Sequence, residues 1–79
     1  MEQRLKDLPP GSHGEVIGYS LADRGYKDRL LAMGLTKGTR FTVLRIAPLG
    51  DPVEISVRDF TLSLRKGEAE MLIVRKVAV

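Results

Sequence analysis

Two runs in the second half of the chain constrain its architecture more than any other feature. Val53-Glu54-Ile55-Ser56-Val57-Arg58 and Phe60-Thr61-Leu62-Ser63-Leu64-Arg65 each alternate apolar and polar residues, separated only by a tight connection at Arg58-Asp59. Successive side chains of a strand point to opposite faces, so each run has one apolar and one polar face. So short a connection makes the pair an antiparallel hairpin. A two-stranded ribbon is not stable alone in water, so its apolar face must be covered by the rest of the chain.

Little chain is left to do this. At 79 residues, area scaling gives a folded surface of roughly 4,800 Å² and burial of about 60% of the unfolded surface, enough for one small core. The expected organisation is a single domain spanning residues 1–79, too small for a large enzyme or a self-contained nucleotide-binding domain. Three further strands are expected. Gly14–Tyr19 is the first, after a lead-in that ends in the Pro9-Pro10-Gly11 turn, through which no helix can run. Thr39–Ala47 is the second, rich in β-branched and aromatic residues, with Phe41 and Val43 facing one way and Leu44 and Ile46 the other. That switch predicts a bulge near Val43-Leu44 or burial on both faces. Met71–Val79 closes the sheet, and Lys66–Ala69 reads as one helical turn before it. Phe41 and Phe60 both fall in the apolar register and are expected in the core.

Between the first two strands the period changes. Tyr26, Leu30 and Met33 lie at i, i+4 and i+7, one face of a short helix, with Leu31 beside them. Ser20 with Asp23 three residues on resembles a capping box for a helix starting near Leu21, and Gly34 is placed to end it in a left-handed conformation. The fold class is therefore mainly β: a five-stranded, partly open SH3-like barrel with one short helix inserted after the first strand. An OB-type barrel is the second choice.

The chemistry available is sparse. The absence of cysteine removes disulfides, thiolate metal sites and thiol nucleophiles. His13 is the sole histidine and lacks a nucleophile-elbow serine to serve, so it reads as a surface residue in a turn. The carboxylates Asp51, Glu54, Asp59, Glu68 and Glu70 form no spaced ligand motif, and no catalytic residue or cofactor is assigned. Gly34-Leu35-Thr36-Lys37-Gly38-Thr39 lacks the spacing of a phosphate loop. The start of the chain shows no apolar signal region, and no run approaches the length of a membrane span, which together point to the cytosol.

Charge is uneven: residues 24–79 hold 11 basic against 6 acidic side chains. A basic body attracts acidic partners. Arg40 and Arg45 flank Phe41, and Arg58, Arg65 and Lys66 lie near the hairpin, so a nucleic-acid-binding small barrel is one reading. It is disfavoured because both phenylalanines belong to the core register.

Several segments taken together resemble a known family. They are Leu8-Pro9-Pro10-Gly11, Gly14-Glu15-Val16, Asp28-Arg29-Leu30-Leu31-Ala32-Met33-Gly34-Leu35 with Gly38, Val43-Leu44-Arg45-Ile46-Ala47-Pro48-Leu49-Gly50-Asp51-Pro52, and Leu62-Ser63-Leu64-Arg65-Lys66. In order and spacing they resemble the ferrous iron transport protein A family over about residues 5–75, most specifically at Ala47–Pro52. Lys37 and Asp59 depart from that pattern, standing where proline and glycine are frequent. The resemblance implies a small cytosolic accessory or regulatory protein of bacterial ferrous iron uptake. The implied partner is the cytosolic part of the membrane transporter ferrous iron transport protein B, with contact to the membrane only through it. The expected contacts are Leu30, Met33 and Leu35 on the helix side and Leu49, Gly50 and Asp51 on the loop. Leu49 is expected to be less demanding structurally than Val53 or Ile55. A metal-responsive regulatory domain is the second alternative, with no metal ligands identified. The open edges of such a barrel leave room for weak self-association.

Overall fold

A computed structural model describes residues 3–20, 24–58 and 60–78. Five antiparallel strands form one curled sheet: β1 (His13–Tyr19), β2 (Arg40–Ile46), β3 (Val53–Val57), β4 (Phe60–Leu64) and β5 (Leu72–Val77). Their order is β4-β3-β2-β1-β5, so β1 turns from β2 onto β5. Helix α1 (Arg24–Ala32) lies between β1 and β2, and α2 (Lys66–Met71) between β4 and β5. The expected start of α1 near Leu21, with its Ser20–Asp23 cap, falls on residues 21–23, outside the described residues.

The hairpin forms as its alternation requires. Val53 pairs with Leu64, Ile55 with Leu62 and Val57 with Phe60, and Val53, Ile55, Val57 and Leu64 are buried. Arg58 carries the turn at φ 52°, while Asp59 lies outside the described residues. In β2 the register slips between Val43 and Arg45, which is the bulge that the mixed register predicted. A second slip lies between Val16 and Gly18 of β1. The extra residue of a bulge is released from the pleat, and Ile17 and Leu44 are accordingly exposed.

The core contains Leu5, Leu8, Val16, Leu30, Leu35, Phe41, Val43, Val53, Ile55, Val57, Leu64, Ala69, Leu72 and Val74. The total accessible surface of 4972 Å² matches what area scaling gives for this mass. Gly14 stands opposite Phe41 across the strands. A Cβ there would lie 2.6 Å from Phe41 Cζ, so the missing side chain is what lets the ring lie against the β1 backbone.

Three expectations need correction. Phe60 is 43% exposed, not buried. It keeps the apolar register, but it begins the edge strand β4, with its ring near Gly34, where an added Cβ would stand 3.7 Å from Cζ. Met71 ends α2 instead of opening β5, and α2 is six residues long where a single turn was expected. The cause is local: Glu68 Oε1 accepts the Arg65 backbone N–H at 2.9 Å, satisfying a helix-terminal donor, and the Ala69 N–H reaches Arg65 O at 2.9 Å. His13 is not in a turn but begins β1, half-buried, with Nδ1 2.9 Å from Thr42 Oγ1.

Candidate protein-docking site

The loop between β2 and β3 holds the feature that packing does not explain. Leu49 is 96% exposed, and its backbone is left-handed, at φ 70° and ψ 9°. A leucine gains nothing structurally from full exposure, and its Cβ makes the left-handed region unfavourable by about 1–2 kcal/mol. The surrounding loop over-determines this conformation. The Gly50 N–H donates to Ala47 O at 2.9 Å, and the Ala47 N–H to Pro52 O at 3.1 Å. Asp51 ties the loop to the start of α2, its Oδ1 accepting the Lys66 backbone N–H at 3.3 Å and lying 3.5 Å from Arg65 Nε. Strain held by rigid neighbours at an exposed apolar side chain points to a role outside the fold.

Leu49 and Gly50 line a groove of about 290 Å³ together with Val53 and Ala69. Arg4, Lys6, Lys66 and Glu70 also line it. The site is thus an apolar knob beside a small groove whose rim carries more basic than acidic groups. A complementary surface would offer an apolar socket with acidic flanks.

The helix-side candidates fare differently. Leu30 and Leu35 are both fully buried and cannot be contacts on the folded surface. The reason is the way α1 ends. The Gly34 N–H bonds Leu31 O at 3.0 Å and the Leu35 N–H bonds Leu30 O at 3.0 Å, with Gly34 at φ 90°. This is the Schellman arrangement, whose flanking apolar pair is here Leu30 with Leu35. Met33 is half-buried against the core, whereas Leu31 is 39% exposed. The structure brings Leu49, Gly50 and Asp51 together on one loop and removes Leu30 and Leu35 from the candidate surface.

Two helix contacts steady this side of the molecule. Arg29 Nη1 lies 3.5 Å from Glu68 Oε2. A Cβ on Gly67 would stand 2.7 Å from Tyr26 Oη, so Gly67 lets α1 and α2 approach. Tyr19 donates its hydroxyl to Leu35 O, and burial pushes its phenol above the ordinary tyrosine value. Lys27 Nζ sits 5.7 Å from the centre of the Tyr19 ring. Of the carboxylates considered as ligands, Glu54 pairs with Arg45 at 3.0 Å, Asp51 faces Arg65, and Glu68 caps α2. Among the described residues no three His, Asp or Glu side chains come together as a metal site. No helix among them is long and apolar enough to cross a membrane.

Comparison with known proteins adds a family to this geometry. The profile of the FeoA domain matches residues 3–76. An Fe(2+) transport protein A/Fe(2+) transporter FeoB fusion protein of Porphyromonas gingivalis is 33% identical over 76 residues, which is 95% of this chain but 9% of the fusion. A FeoA-like protein of Clostridium acetobutylicum superimposes with a TM-score of 0.86 at 29% identity, covering 99% of this chain and 90% of that one. The zinc-complexed FeoA of Stenotrophomonas maltophilia, described as a prokaryotic SH3 domain protein, gives 0.76 at 25% identity over 92% and 89%.

Proposed function

Because the chain belongs to the FeoA domain family, which is linked to ferrous iron transport, we propose that it is a non-enzymatic accessory of a FeoB-type membrane transporter. On this reading it docks on the transporter's cytosolic part through the Leu49 loop. The observation that carries the proposal is Leu49 itself, fully exposed in a strained conformation that the loop's hydrogen bonds hold in place. Support for the partner comes from the fusion relative, in which an A-type and a B-type portion share one polypeptide. Gly50 gives the loop its second consecutive left-handed residue. Asp51 fixes the loop's angle to α2, so both position the leucine. Fully burying a leucine is worth about 1.5–3 kcal/mol, and the basic rim adds steering toward an acidic surface.

The test is binding of the full chain to the purified transporter. Leu49→Asp is expected to abolish capture while leaving the thermal transition intact. Capture that survives Leu49→Asp would remove the loop from the interface, and absence of capture of the wild-type chain would remove the partner.

A further inference from the structure

A separate pocket of about 260 Å³, with Phe41, Val77 and Ala78 as its apolar lining, shares no residue with the groove beside Leu49. His13 of β1 pairs in register with Thr42 of β2, and Thr42 with Ser56 of β3. Side chains of directly opposed residues share a face, so these three polar groups form a row across three strands. Arg40 is two residues from Thr42 and Arg58 two residues from Ser56. The alternation of strands therefore places Arg40 on the same face one step along, and Arg58 at the adjoining end of the hairpin. All five side chains line the pocket.

Among the described residues, the acids on the neighbouring register positions of this face are already engaged. Glu15 is the register partner of Arg40, but its Oε1 accepts from Arg75 Nε at 2.8 Å and Nη2 at 2.6 Å. Glu54 is held by Arg45 at 3.0 Å. Neither Arg40 nor Arg58 has an ion-pair or hydrogen-bond partner among the described residues. The pocket thus gathers two guanidinium groups that no described acid engages, two hydroxyls and an imidazole. Thr42 Oγ1 and His13 Nδ1 lie 2.9 Å apart as a hydrogen-bonded pair, and whichever of the two donates, the neutral pair leaves one donor free, either Nε2–H or the Thr42 O–H.

We propose that this pocket binds a phosphate-type oxyanion. Guanidinium groups match tetrahedral oxyanions through paired N–H donors, and the Ser56 hydroxyl with the one donor that the His13–Thr42 pair leaves free serves the remaining oxygens. At about 260 Å³ the pocket lies just below the usual ligand-site range of about 300–1,000 Å³, which suits a phosphate group with a compact body better than a large ligand. Free phosphate and the phosphate of a mononucleotide present the same chemistry. The inference does not depend on transporter docking.

The test is a titration of the full chain, followed by amide and imidazole NMR signals at low ionic strength. Inorganic phosphate and a nucleoside monophosphate form the two arms, each compared with sodium chloride at matched ionic strength. Saturable shifts at His13, Thr42 and Ser56 are expected with phosphate and not with chloride. Arg40→Gln and Arg58→Asn should each weaken binding by about ten-fold or more, the scale of one lost charge-assisted hydrogen bond. Asparagine tolerates the left-handed backbone that Arg58 occupies, so the second variant removes the charge while keeping the turn. Tighter binding of the mononucleotide would assign the nucleotide as the source, and equal binding would assign the free anion. Shifts no larger than those with chloride, or shifts unchanged in both variants, would overturn the proposal. So would binding confined to an oligonucleotide with a steep salt dependence, which would make this face a nucleic-acid surface instead.

Discussion

Replacing Leu49 with glycine separates the two roles that an exposed leucine can have. At 96% exposure the side chain buries almost no surface, so removing it forfeits no appreciable transfer energy. Relief of the left-handed backbone is worth about 1–2 kcal/mol. The added freedom of glycine in the unfolded chain offsets about 0.4–1 kcal/mol of this. The net change therefore runs from about zero to about 1.5 kcal/mol of stabilisation. For a chain of this size each kcal/mol shifts Tm by roughly 4–8 °C, so Tm should hold or rise. A leucine that packed internally would behave oppositely, losing about 3 kcal/mol or more on truncation. Urea and thermal unfolding, with an unchanged m-value, read the first arm. Affinity for the transporter's cytosolic region reads the second. It should fall by about 10- to 150-fold, the equivalent of one leucine side chain no longer buried at the interface. Leu49→Asn, whose side chain also accepts the left-handed region, should reproduce both results. Destabilisation beyond about 1 kcal/mol would refute the strain argument, and unchanged affinity would refute the docking argument.

Other expectations follow from the packing. Gly14→Ala places a methyl 2.6 Å from Phe41 Cζ and should destabilise by about 1–3 kcal/mol, with partial rescue by Phe41→Leu in a double-mutant cycle. Glu68→Ala removes the acceptor for the Arg65 N–H and should destabilise by about 1 kcal/mol, while Arg29→Ala should do less because Arg29 is largely exposed. The Tyr19 phenol is pushed up in the folded chain, so the unfolded chain loses its proton first as pH rises. The contribution of Tyr19 to folding stability should be constant below the ordinary tyrosine range and fall above about pH 10. Tyr19→Phe should remove that alkaline decline, and at neutral pH it should destabilise by about 1 kcal/mol through loss of the bond to Leu35 O.

What the sequence disclosed, and what it hid, follows from the range of the interactions involved. The hairpin of β3 and β4, the bulge at Leu44 and the glycine stop of α1 are local, written in residues within a few positions of one another, and each was legible. The fate of Leu30 and Leu35 was not. A helical stripe looks the same whether it faces a core or a partner, and the decision rests on the Schellman turn, which folds Leu35 back beside Leu30. Phe60 failed for the converse reason. Its register is apolar, but register says nothing about how far the cover extends over an edge strand. The pocket of His13, Arg40 and Arg58 was hidden for a third reason. The basic residues could be counted, but which of them find acids depends on strand order. Arg45 and Arg65 are matched by Glu54 and Asp51, and Arg75 takes the carboxylate opposite Arg40. Arg40 and Arg58 are left without a described acid, beside a histidine whose position is invisible until β1 is laid against β2. Leu49 was singled out at both levels because its signal is a contradiction that sequence can pose and structure can sharpen: a large apolar residue, in a loop, where nothing in the fold needs it. Surfaces that select partners depart in this way from the rules that specify the fold. The same contradiction makes Leu49→Gly the most informative single change in the chain.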